Sequence, residues 1–124
     1  MKRSHAIFLQ DIFEAIGKID EFVGKRSFEE FCSDEVLLNA VVHKIEIIGE
    51  AAKGVPSEVR ARHPKIPWAE MSKTRDKLIH SYFGVDNEII WKIVKEELPP
   101  LKSIIAEAAK AEAAREQKEK NKTA

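Results

Sequence analysis

The chain reads as an all-α protein, an antiparallel bundle of four main helices with short extra helical turns. Three observations carry that reading. Apolar residues recur at spacings of three and four along most of the chain. No segment alternates apolar and polar residues as a half-buried strand does. Capping and stop residues punctuate the apolar runs, leaving the short connections that join neighbouring helices of a bundle.

The first helix carries Leu9, Ile12, Ile16, Ile19 and Val23 on one stripe, widened by Phe8 and Phe22. Gln10, Glu14, Lys18 and Glu21 take the outer face, and Gly24 is the expected stop. Gly17 inside this pattern either weakens the helix by about 1 kcal/mol against alanine or marks a close helix contact. Ser27-Phe28-Glu29-Glu30 is a capping-box pattern opening a short helical turn, and Asp34 is the expected cap of the second long helix. That helix buries Leu37, Val41, Ile45, Ile48 and Ala52 and runs to about Lys53, where Gly54 ends it and Pro56 prevents its return.

Its opposite face repeats Asn39, His43, Glu46, Glu50 and Lys53. His43 and Glu46, three apart, match the spacing of bundle metal sites. A solvated polar face explains them more simply, and no metal or cofactor is expected. Ser57 is the expected cap of a short helix through Arg62, and Pro67 suits the first turn of the next helix. Trp68 reads as a core anchor, with base stacking as the functional alternative. Met71, Leu78 and Ile79 are the expected buried positions of the third main helix, which Gly84 closes. Asp86 is the expected cap of the last. There Trp91, Val94, Leu98, Leu101, Ile105 and Ala108 keep their phase across Pro99-Pro100, so the spacing predicts one kinked helix or two nearly collinear ones. Past Ala106 no large apolar residue remains, and the mixed-charge stretch from about Glu116 is expected to fray. The domain is therefore bounded at residues 1–115, with a charged tail at 116–124.

Length and composition narrow the function. A chain of 124 residues makes one domain with one modest core. A formal net charge of zero supplies no bulk field toward nucleic acid or membrane, so any polyanion site must come from local charge. Residues 60–80 hold such an imbalance: Arg60, Arg62, Lys65, Lys73, Arg75 and Lys77 against Glu70 and Asp76. Cys32 is the only cysteine, which excludes an intrachain disulfide or a cysteine-based metal cluster. Gln10 and Asp11 interrupt the first apolar run too early for a signal peptide, and no run reaches membrane-spanning length. A reducing cytoplasm is the expected compartment.

One stretch concentrates reactive chemistry: Arg75-Asp76-Lys77-Leu78-Ile79-His80-Ser81-Tyr82-Phe83-Gly84. Arginine offers a planar fork of donors to phosphate, and histidine exchanges protons near neutrality. Arg75 and Tyr82, seven apart, share a helix face, whereas His80 lies about 140° around the axis from Arg75. One helix therefore does not aim both groups at a single phosphate. A second copy across a two-fold axis would, which is a reason to expect a homodimer with its site at the interface. An ordinary helix with one arginine, one histidine and one tyrosine is the bland alternative.

The pattern R-x-x-x-x-H-x-Y followed by Phe83-Gly84-Val85-Asp86 resembles the signature of HepT-type toxins of the HEPN superfamily. Ile48-Gly49-Glu50-Ala51-Ala52-Lys53, Ile66-Pro67-Trp68 and Ile90-Trp91 extend the resemblance in the family's order over most of residues 5–105. It implies the toxin of a type VII-like toxin–antitoxin system, a metal-independent endoribonuclease with Arg75 and His80 as catalytic residues. Asp76, Lys77, Glu50 and Lys53 would support them. Tyr82 matches the tyrosine to which a nucleotidyltransferase antitoxin of the MntA type attaches AMP. Many members carry asparagine after the arginine, and a charged Asp76 damps the local positive field. The alternative function is a non-catalytic helical partner that presents nucleotide or substrate to a nucleotidyltransferase.

Overall fold

The computed structural model describes residues 4–74 and 87–123. Over these the chain is all-α, as its periodicity predicts. α1 (His5–Val23), α3 (Glu35–Gly54) and α7 (Pro99–Thr123) are long. Between them lie α2 (Phe28–Ser33), α4 (Ser57–Arg62), α5 (Trp68–Ser72), α6 (Asn87–Lys92) and one π-helical turn, Ile93–Glu97.

α1 is the central element, packed along both α3 and α7. Its predicted stripe is its buried face: Leu9, Ile12, Ile16, Ile19 and Val23 are all buried. Each such aliphatic side chain contributes on the order of 1.5–3 kcal/mol by leaving water. Lys102, early in α7, meets Asp20 late in α1 at 3.3 Å, while Glu116 late in α7 accepts from Ser4 and Ala6 at the start of α1. Those two helices are therefore antiparallel. Gly54 at the end of α3 lies against the ring of Phe8 near the start of α1, so this pair is antiparallel too.

The local signals resolve as follows. Gly24 ends α1 at φ 54, a conformation that favours glycine. Ser27 and Glu30 form the reciprocal capping box, with each backbone N–H donating to the other's side chain at 3.0 and 3.1 Å. Asp34 caps α3 by accepting from the backbone N–H of Leu37 at 3.0 Å. Gly17 marks no close contact, since a Cβ built there meets nothing within 4 Å.

One boundary expectation is met and one is corrected. Gly54 ends α3 as expected, and Val55 turns extended at φ −79, ψ 120. The physical reason is Pro56, whose ring disfavours the α conformation in the residue before it. The space at Gly54 is taken by Phe8, whose ring would stand 2.7 Å from an added Cβ. Ser57 is the first residue of α4 and not its cap; Pro56 occupies that position and no side chain caps it.

The last apolar stripe behaves as its phase predicts. Val94, Leu98, Leu101, Ile105 and Ala108 are buried, and Trp91 sits at its edge against Phe28 and Phe31, with ring centroids 5.7 and 5.2 Å away. The proline pair is accommodated by the π turn, in which Leu98 N–H donates to the carbonyl of Ile93 at 2.9 Å. Pro99 and Pro100 have no N–H for the carbonyls one turn earlier, and their rings would strike those carbonyls in a regular α turn. A wider turn ahead of them is the local answer. α7 then stays helical to Thr123, beyond the point at which apolar burial ends.

Candidate active site

Arg75, Asp76, Lys77, His80 and Tyr82 lie outside the described residues, as do Leu78, Ile79, Gly84 and Asp86. What the structure describes is the frame to which that segment is attached at both ends. Upstream, Trp68 is buried as the expected anchor, and its indole N–H donates to the carbonyl of His63 at 3.0 Å. Met71 is buried behind it, and the chain reaches Thr74 at 7% exposure. The Thr74 hydroxyl donates to the carbonyl of Met71 at 2.7 Å. α5 packs on α3 at Gly49, where an added Cβ would lie 2.8 Å from Thr74 Oγ1 and 3.4 Å from the Met71 carbonyl. Downstream, α6 returns with Ile90 buried in the core.

Glu50 and Lys53 follow Gly49 on α3. Both side chains reach solvent, at 62% and 47% exposure, and their charged ends stand 3.8 Å apart. They are thus placed on the accessible surface of the helix that carries the α5 contact. His43, Glu46 and Glu50 border an open groove with Phe8, Asp11 and Ile47. Among the described residues no group of three or more His, Cys, Asp or Glu side chains could hold a metal ion.

The local cation surplus is smaller than the sequence suggests. Arg60 donates to the carbonyls of Val55 and Ala52 at 2.9 and 2.8 Å, tying off the end of α3, and its guanidinium lies 5.8 Å from the Trp68 ring centre. Arg62 is engaged by Glu112, through Nη2 at 2.5 Å and Nε at 3.1 Å. Of the four described cations in this stretch, these two serve the fold, while Lys65 and Lys73 are exposed.

The Arg62 contact belongs to a buried cluster that the sequence reading missed. The carboxylate of Glu112, only 4% exposed, also meets His63 Nε2 at 2.7 Å. The hydrogen bonds from Arg62 hold the Glu112 carboxyl below its ordinary range against the opposing effect of burial, and His63 adds to the lowering. The same bonds raise Arg62 above its usual value. This arrangement fastens α4 to α7 and leaves the carboxylate fully engaged, so its chemistry is structural. One signal for it was available: Glu112 continues the phase of Leu101, Ile105 and Ala108 at spacings of four, three and four.

The ribonuclease HepT-like family model matches residues 12–108 of the chain. A protein of Thermococcus cleftensis named "Probable ribonuclease HepT" is 53% identical over 102 residues, which cover 82% of this chain and 93% of that protein. Two further relatives carry RNase names. One, from Caldanaerobacter subterraneus subsp. tengcongensis, is 44% identical over 85% of this chain and 94% of its own length. The other, from Methanocaldococcus jannaschii, is 43% identical over 82% of this chain and 84% of its own. No solved structure matches the chain. Among the described residues no helix is long and apolar enough to cross a membrane.

Proposed function

The chain belongs to the HepT-like ribonuclease family and is a ribonuclease, and on that premise we propose a metal-independent endoribonuclease whose site two copies of the chain build from Arg75 and His80. The observation that carries the proposal is the family match itself, whose bounds, residues 12–108, take in the Arg75–Tyr82 stretch. RNA brings its own nucleophile. One His80 imidazole accepts the 2′-hydroxyl proton as the O2′–P bond forms, and a protonated His80 from the second copy donates to the departing 5′-oxygen as the P–O5′ bond breaks. Arg75 stabilises the charge that gathers on the non-bridging oxygens in between. The products are a 2′,3′-cyclic phosphate and a 5′-hydroxyl. DNA lacks the 2′-hydroxyl and is not a substrate for this route. Asp76 and Lys77 tune the field at Arg75, and Glu50 and Lys53 supply polar contacts from α3.

The proposal extends to control. A nucleotidyltransferase antitoxin transfers AMP from a nucleoside triphosphate to the Tyr82 phenol, releasing pyrophosphate. The new phosphodiester places a negative charge and a nucleoside seven residues from Arg75, occupying the guanidinium and blocking RNA.

Incubation of the pure protein with total RNA, followed by mapping of the new ends, tests the chemistry. Cyclic phosphate ends are expected, and Arg75→Ala and His80→Ala should lose cleavage while keeping wild-type helical content. A fully active His80→Ala protein, or a wild-type protein that leaves RNA intact, overturns the assignment. For the control step, Tyr82→Phe should escape modification by the antitoxin; continued modification and silencing of that variant would refute it.

A further inference from the structure

Gly49 stands inside α3, where glycine is a poor helix former and alanine would serve the helix better. The contrast with Gly17 shows what distinguishes the position. Gly17 has open space where a side chain would go, whereas Gly49 is buried against the end of α5. An alanine methyl there would lie 2.8 Å from Thr74 Oγ1, inside any permitted contact, and 3.4 Å from the carbonyl of Met71.

Thr74 cannot easily give way. It is 7% exposed, its side chain is short and branched at Cβ, and its hydroxyl is committed to the Met71 carbonyl at 2.7 Å. Relief of the clash must therefore come from a shift of backbone, either α3 or the end of α5. Thr74 is joined to Arg75 by a single peptide bond, so the two Cα atoms are about 3.8 Å apart whatever the conformation. A shift of the Thr74 backbone therefore moves the point to which Arg75 is covalently tied.

We propose that Gly49 and Thr74 form the seat that anchors the backbone immediately before Arg75, a pair of positioning residues that act on the catalytic segment without themselves touching RNA. The inference rests on the nuclease reading above and adds to it the anchor of the backbone that leads into Arg75. Restoring an ordinary 3.4 Å contact from 2.8 Å takes a shift of about 0.6 Å, and a misplacement of about 1 Å can cost a hundredfold in rate. Binding of RNA draws on contacts spread along the strand and is less sensitive to that displacement.

The test is a set of four proteins, wild type, Gly49→Ala, Thr74→Ala and Gly49→Ala/Thr74→Ala, assayed with a short fluorogenic RNA well below their melting temperatures. Gly49→Ala is expected to lose about tenfold or more in kcat with KM little changed. Thr74→Ala opens room for the added methyl, so the double variant should recover most of the lost turnover. A merely structural role predicts a lower melting temperature but unchanged kcat per folded molecule. Wild-type kcat in folded Gly49→Ala, or a double variant as slow as the single one, overturns the proposal. Should Gly49→Ala fail to fold, Thr74→Ile presses the extra bulk into the same gap from the α5 side and is expected to show the same kcat loss; wild-type kcat there overturns it equally. A wild-type protein that cleaves no RNA sinks the nuclease reading and this inference with it, whereas an active wild type beside an unaffected Gly49→Ala sinks the inference alone.

Discussion

Replacing Glu112 with alanine removes the carboxylate that Arg62 and His63 share. The Glu112 side chain is 4% exposed, and it accepts from Arg62 at 2.5 and 3.1 Å and meets His63 at 2.7 Å. Breaking a buried ion pair by deleting one member costs about 3–5 kcal/mol, chiefly because the other charge stays buried without a partner. Here the survivors are less trapped, since Arg62 keeps 31% and His63 18% of its side-chain surface in water. Partial rehydration lowers the expected loss to about 2–3 kcal/mol. With an unfolding entropy near 2.1 cal/mol/K per residue, a chain of 124 residues loses one degree of melting temperature for roughly 0.26 kcal/mol. The expected drop is therefore about 8–12 °C. Urea and thermal unfolding at pH 7, followed by far-UV circular dichroism at one fixed protein concentration, measure it. A double-mutant cycle with Arg62→Ala should return a coupling of about 1–3 kcal/mol. A Glu112→Ala protein within about 0.5 kcal/mol of wild type, the range of ordinary surface changes, would refute the reasoning, as would a coupling near zero.

The same carboxylate sets an acid dependence. Its folded pKa is held below the unfolded value of about 4.3, so its stabilisation is complete above that value and disappears as pH falls through the lowered folded one. Glu112→Gln should flatten the loss of stability on acidification, and an unchanged slope in urea midpoints against pH would contradict this. Gly17→Ala, with open space for its methyl, should raise stability by about 0.5–1 kcal/mol, whereas Gly54→Ala drives a methyl against the Phe8 ring at 2.7 Å and should lower it by about 1 kcal/mol; the opposite order of urea midpoints would be decisive against both. Asp34→Ala removes the cap on Leu37 and should cost about 1 kcal/mol, with Asp34→Asn close to wild type. Equal stability of the two variants would show that the cap contributes nothing.

Much of the architecture was determined by the sequence by itself, because a helix advertises its buried face through local spacing. Leu9 through Val23, Leu37 through Ala52 and Val94 through Ala108 line the core as their periods predict, and the caps at Ser27 and Asp34 act within three residues of themselves. The ribonuclease resemblance was legible for a related reason, since its motif is a run of neighbouring residues. Tertiary structure decided whatever depended on distant partners. Gly17 and Gly49 both stand inside helical patterns in the sequence, and only Thr74, 25 positions from Gly49, tells them apart. Arg60 and Arg62 count as free positive charge until the end of α3 and the far helix α7 are seen to engage them. Glu112 looks like one more solvated acid until α4 is folded against it. Spacing reports which way a side chain points from its own helix, but not what stands opposite, and the energies of burial, clash and charge pairing are set by what stands opposite.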